Sequence, residues 1–137
     1  LDISALTIML DTMHRETDIK VPKINSMKLI NKINELVHNG LVFVSIKDNK
    51  IQGSIAGQIC ADWWSEEKYI GDVWFYVFKD QRKSDVAKKL IQTYIKTAKD
   101  AKMKLRLGHV FSADIDRKDN FYKRLGFAKA GSIYVEA

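Results

Sequence analysis

The run from Asp72 to Leu90, DVWFYVFKDQRKSDVAKKL, joins an apolar stretch to a basic turn and then to a helix-forming pattern. A loop that feeds a helix N-terminus presents backbone N–H groups without partners, and the helix dipole adds positive potential. Such a turn is suited to an anion. Arg82 and Lys83 add formal charge beside it, and Ser84 is placed to cap the helix with Asp85 as an early acidic residue. A second run, Asn120 to Phe127, NFYKRLGF, is an aromatic helix end closing on Gly126. His14, His38 and His109 share no metal-ligand spacing, so no metal is expected. His109, at the C-terminal end of a strand-like segment, is the histidine worth testing. The lone Cys60 has no internal disulfide partner and lies in a strand-like run, which reads as a buried thiol rather than a nucleophile.

Around these residues the periodicity sets the elements. Ile3, Leu6, Leu10 and Met13 repeat at helical spacing, and Pro22 halts any continuation. Asn25 or Ser26 caps a second helix with the apolar face Leu29, Ile30, Ile33, Leu36 and Val37, ended by Gly40. The period then changes to two. Residues 41–46 and 51–60 form a hairpin about Asp48, Asn49 and Lys50, and a loop with Trp63 and Trp64 leads to a strand over 69–78. Those tryptophans could wall a pocket, cap the core or meet a second subunit. Residues 73–78 are apolar on both faces, as in a central strand covered on both sides. Val86, Leu90, Ile91, Tyr94, Ile95 and Ala98 mark a third helix. A strand over 105–110, a helix over 115–125 and a last strand over 127–136 complete the chain. The expected class is α/β (α+β): a mixed, mostly antiparallel central sheet with helices on both faces.

The 137 residues suit one domain spanning 1–137, and 46% hydrophobic content is enough for a core. There is no low-complexity linker, repeat, signal-peptide pattern or apolar run of membrane-spanning length, so a cytoplasmic globular protein is expected. The net charge of +6 is compatible with nucleic acid, an anionic surface or a phosphate-rich cofactor, but the lysines are spread along helix faces rather than massed.

These two runs resemble the acetyl-coenzyme A site of the GNAT N-acetyltransferase superfamily. Phe75-Tyr76-Val77 is similar to the family's strand end, and Arg82, Lys83, Ser84, Asp85, Val86 and Ala87 occupy its Arg/Gln-x-x-Gly-x-Gly/Ala motif. Arg82 and Ala87 match; Asp85 stands in place of a glycine, where a carboxylate repels the pyrophosphate and a side chain hinders close backbone approach. Phe121-Tyr122-Lys123-Arg124-Leu125-Gly126-Phe127 is similar to the family's aromatic helix end, and Ile115 stands where the family has Asn. The likeness covers nearly the whole chain from Leu6, and Met13 to Thr17 with the glycine-poor loop is similar to small GNAT proteins of phages. The chain begins at Leu1 rather than Met, so the natural start is expected upstream, and the family's first strand is expected either upstream with it or absent from the sheet.

The resemblance implies acetyl transfer from acetyl-coenzyme A to a primary amine, by direct attack in a ternary complex. The acceptor would be a small molecule or peptide, and a homodimer is a common assembly in the family. Backbone N–H groups around Val77 would hold the pantetheine, the Arg82–Ala87 turn the pyrophosphate, and Tyr122 would protonate the departing thiolate. A carboxylate on the central strand commonly takes the amine's proton. Asp72 is the acid near that strand end, with Glu16 on the first helix as a second candidate. Asp72 has the opposite parity to Val77, so only a bulge brings both to one face. The rival readings are a non-catalytic GNAT fold that binds a protein partner and, with no motif in its favour, a nucleic-acid-binding domain.

Overall fold

The computed structural model describes residues 2–17, 21–109 and 114–136. Helix α1 (Ile3–Arg15) starts behind Asp2, whose carboxylate accepts from the N–H groups of Ser4 and Ala5. Helix α2 (Ser26–Asn39) starts behind Asn25, which accepts from Lys28, and ends at Gly40. Their apolar stripes bury Leu6, Met9, Leu10, Ile33 and Leu36 against Ala56, Trp74 and Tyr76 on one face of the sheet.

Strands β1 (Leu41–Lys47) and β2 (Lys50–Ala61) form an antiparallel hairpin. Its turn residues Asp48 and Asn49 have φ of 51° and 61°, a left-handed backbone that Asp and Asn tolerate. Strand β3 (Lys68–Val77) runs antiparallel to β2, and β4 (Lys104–Arg106) runs parallel to β3, in the order β1-β2-β3-β4. Helix α3 (Val86–Asp100) lays Val86, Leu90, Ile91, Tyr94 and Ala98 on the second face, against Ile55, Ile70 and Val77. Helix α4 (Ile115–Arg124) joins that layer through Phe121, whose ring lies 6.2 Å from Phe75. The mixed, mostly antiparallel sheet with helices on both faces is the expected architecture. No helix among the described residues is long and apolar enough to cross a membrane.

Three local expectations are corrected. Helix α3 has Asp85, not Ser84, at its N-cap, and Asp85 caps nothing: its carboxylate pairs with Lys89 at 3.0 Å. The Ser84 hydroxyl instead donates to the carbonyl of Gln81 at 2.5 Å, within the turn. The strand expected over 105–110 is confined to β4, because the N–H of Gly108 donates to the Asp72 carboxylate at 3.0 Å instead of to a strand; Val110 lies outside the described residues. Residues 127–136 form no strand. Their alternation fits one, but a strand needs a neighbour's N–H and C=O groups, and without that ladder Ile133, Tyr134 and Val135 stay exposed.

The β2–β3 register breaks once. Ala56 faces Trp74 and Gly57 faces Asp72, leaving Val73 as an extra residue in a bulge. Val73, Trp74 and Tyr76 pack on the α1–α2 side, while Phe75 and Val77 pack on the α3 side. Across the bulge Asp72 therefore returns to the α3 side, sharing a face with Val77. Gly57 makes room there: a Cβ at this position would collide with the Tyr94 hydroxyl. Gly57→Ala is expected to cost about 1–3 kcal/mol by overpacking, read as a lower denaturation midpoint at unchanged denaturant slope.

Candidate active site

Pairing between β3 and β4 ends at Gly71 opposite Arg106. From Asp72 to Val77, β3 is paired with β2 alone, so its other edge presents backbone groups with no strand beside them among the described residues. The bulge sits at the start of this free edge and the turn into α3 at its end. Helix α4 flanks it, held in place at its C-terminus by Gly126. The φ of +94° there lets Phe127 N–H reach the carbonyl of Tyr122 at 3.1 Å and Gly126 N–H that of Lys123 at 3.0 Å.

At the bulge end four ionisable or hydroxyl groups converge. Burial pushes the Asp72 carboxyl up to about 6, against the opposing effects of the Gly108 N–H and of His109. Tyr122 is buried, and burial together with the Asp72 charge raises its phenol above the usual value. Its hydroxyl has no hydrogen-bond partner among the described residues. The His109 ring stacks on Tyr122 at 5.8 Å and an interplanar angle of 23°. His109 Nε2 lies 2.9 Å from an Asp119 oxygen, and Lys129 reaches the other at 3.1 Å. Those two hydrogen bonds hold the Asp119 carboxyl below its usual range. An ionised carboxylate only accepts, so it is the hydrogen on Nε2 of His109 that is donated to Asp119. Among the described residues Nδ1 of His109 is buried without a partner, as is the hydroxyl of Tyr94. A phenol that keeps its proton, a carboxyl titrating near neutrality and an oriented imidazole can together move a proton at a buried centre.

The other end of the edge is built differently from the sequence expectation. Arg82 does not face an open turn. Its Nε donates to the carbonyl of Val77 at 2.8 Å, its NH2 nitrogen meets Glu16 at 2.6 Å, and its guanidinium lies over the Tyr76 ring at 5.3 Å. Burial alone would raise the Glu16 carboxyl, but hydrogen bonds from Tyr76 and Arg82 outweigh it and hold Glu16 below its usual range. Glu16 is thus a poor proton acceptor and a clamp between α1 and the end of β3. Lys83, Ser84 and Asp85 are exposed, Ala87 is half-buried, and Val86 is buried beside Val77. The start of α3 carries no side-chain cap, apart from a Ser84 hydroxyl 3.3 Å from Val86 N–H.

Asp119 and Lys118 were not flagged by the sequence. Asp119 is ten residues from its histidine, a distance with no motif, whereas Lys118 stands four residues before Tyr122 and so on the same helical face. Trp63 and Trp64 are exposed and pack edge-to-face on each other at 5.3 Å, so they do not cap the core. A cavity of about 140 Å³ lined by Leu41, Ile59, Ile70, Thr97 and Met103 lies by the C-terminal end of α3, away from these groups.

Residues 38–129 match the model of the Acetyltransferase (GNAT) domain. The chain belongs to the GNAT family of N-acetyltransferases. No curated protein matches it significantly. Among solved structures, this GNAT chain is similar to ribosomal-protein-alanine N-acetyltransferase from Brucella melitensis, with TM-score 0.72, 15% identity and coverage of 99% of this chain and 93% of that one. It is similar also to an aminoglycoside acetyltransferase from an uncultured soil metagenomic sample, in complex with sisomicin, with TM-score 0.71, 17% identity and coverage of 99% and 89%. A third likeness is AAC(6')-Iy in complex with the bisubstrate analog CoA-S-monomethyl-acetylneamine, with TM-score 0.74, 12% identity and coverage of 98% and 90%. At these identities the structures share the fold.

The raised Asp72 carboxyl has a thermodynamic signature. Over the interval from its unfolded value near 3.8 up to about 6, the folded GNAT domain binds more protons at this site than the unfolded chain. Its contribution to stability is fully present below that interval and is lost as pH rises through about 6. Thermal unfolding from pH 4 to 7 is expected to show this decline, and Asp72→Asn to flatten it.

Proposed function

We propose that this chain moves an acetyl group from acetyl-coenzyme A to a primary amine by direct attack in a ternary complex. The observation that carries the reading is the parting of β3 from β4 at the Val73 bulge, beside Asp72 and Tyr122. A free strand edge accepts an extended, amide-bearing arm as it would an added strand. Backbone groups from Val73 to Val77 would hold the pantetheine and polarise the thioester carbonyl. The start of α3, with the turn from Arg82 to Ala87, would take the pyrophosphate.

Acetyl-coenzyme A supplies the activated acyl group. The amine's nitrogen bonds to the acyl carbon as the carbon–sulfur bond breaks, Asp72 takes the proton lost by nitrogen, and Tyr122 gives one to sulfur. The burial that keeps the Tyr122 phenol protonated acts equally on a thiolate formed beside it, so the thiolate still draws the proton. The solved structures named above bear the names of enzymes for aminoglycosides and for a ribosomal-protein alanine, which makes small-molecule and peptide amines the acceptors to screen first.

The test is thiol release from acetyl-coenzyme A with a panel holding an aminoglycoside, a polyamine and an alanine-initiated peptide. Tyr122→Phe is expected to lower turnover by roughly a hundredfold or more while leaving acetyl-coenzyme A affinity unchanged. Unchanged turnover removes Tyr122 from the mechanism. Binding without thiol release on any amine would favour a non-catalytic, protein-binding role, the reading to which Asp85 in the turn and the clamped Arg82 lend weight.

A further inference from the structure

Lys118 is a half-buried cation whose ammonium has no hydrogen bond or ion pair among the described residues. It sits one turn before Tyr122 on α4, on the same face. The two residues feel different ends of β3. The charge acting on Tyr122 is that of Asp72 at the bulge, whereas those acting on Lys118 are Arg82 and Glu16, at the turn into α3, and Arg117 on its own helix. Burial and the two arginines disfavour its protonated form, and Glu16 favours it less strongly. A half-buried cation among like charges is stabilised by any anion brought beside it. At the turn itself Arg82 is neutralised by Glu16 and Asp85 by Lys89, and Lys83 is the exposed cation there.

We propose that Lys118 binds the phosphate-bearing end of the acyl donor, supplying from α4 the cation that Arg82, clamped by Glu16, does not. The inference rests on the acetyltransferase reading above and adds a residue to it. The donor is then gripped between the start of α3 and the facing side of α4.

The experiment measures acetyl-coenzyme A binding by calorimetry for the natural chain, Lys118→Met and Lys118→Arg, with acetyl-pantetheine as a probe bearing the same thioester and no phosphate. Lys118→Met is expected to weaken acetyl-coenzyme A binding roughly 10- to 100-fold, the worth of one hydrogen bond to a charged group. Its preference for acetyl-coenzyme A over acetyl-pantetheine should shrink by the same factor, and Lys118→Arg should restore much of both. The ligand-free Lys118→Met protein is expected to unfold at a higher temperature, because an uncompensated cation has been removed; a lysine of purely structural use would shift it downward. Acetyl-coenzyme A affinity or an acetyl-pantetheine preference that does not change in Lys118→Met overturns the assignment of Lys118 alone. Failure of the natural chain to bind acetyl-coenzyme A overturns the acetyltransferase reading and this inference with it.

Discussion

The extra residue at Val73 governs the rest of the site. A regular β3 would turn the Asp72 carboxyl toward α1 and α2, into a layer of Leu6, Met9, Leu10 and Trp74 with nothing to bond to it. The bulge rotates it instead to the α3 side, where Gly57 leaves space opposite and Gly108 supplies an N–H. With the carboxylate occupying that N–H, β4 cannot continue its ladder past Arg106. The two strands part, and β3, an inner strand of the sheet, acquires a free edge among the described residues. One local irregularity thus sets the position of the acid, the length of β4 and the opening beside α4. The short β4 is secured elsewhere, by Arg106 forked onto Asp62 at 2.5 and 2.7 Å and lying over Tyr69 at 3.9 Å.

The two ends of the free edge divide the electrostatics between them. At the bulge, burial keeps Tyr122 protonated and raises the Asp72 carboxyl to about 6, while Asp119 orients the His109 ring through Nε2. Among the described residues Nδ1 of His109 and the hydroxyl of Tyr94 are buried without a partner, and such costs gather at working sites. At the α3 end the structure uses Arg82 to tie α1 to the end of β3 through Glu16 and the carbonyl of Val77. The clamp rigidifies the strand end and takes up the charge of Arg82, leaving Lys83 as the exposed cation of the turn.

The fold was legible because each element carried its own signal: the apolar faces of the first three helices, Asp48-Asn49 at the hairpin, a doubly apolar β3 and Gly126 at the end of α4. What failed depended on partners. Residues 127–136 have strand alternation but no neighbouring ladder, and Ser84 lost the cap position because its hydroxyl is used within the turn. In the site, the motif brought out Tyr122, Arg82 and the turn, and parity showed that Asp72 needs a bulge. The partnership of Arg82 with Glu16 spans 66 residues and that of His109 with Asp119 spans ten, and neither spacing has a local rule to reveal it. Ion pairs of this kind exist only once the chain has folded.

The central claim, that the free edge of β3 receives an acyl donor, is tested most directly by amide hydrogen exchange with and without acetyl-coenzyme A. Added protection at the amides of Val73 to Val77 and of the first turn of α3, with the β1–β2 hairpin unchanged, is the expected result. Exchange at those amides that acetyl-coenzyme A leaves unaltered, at concentrations saturating for a family member, would contradict it.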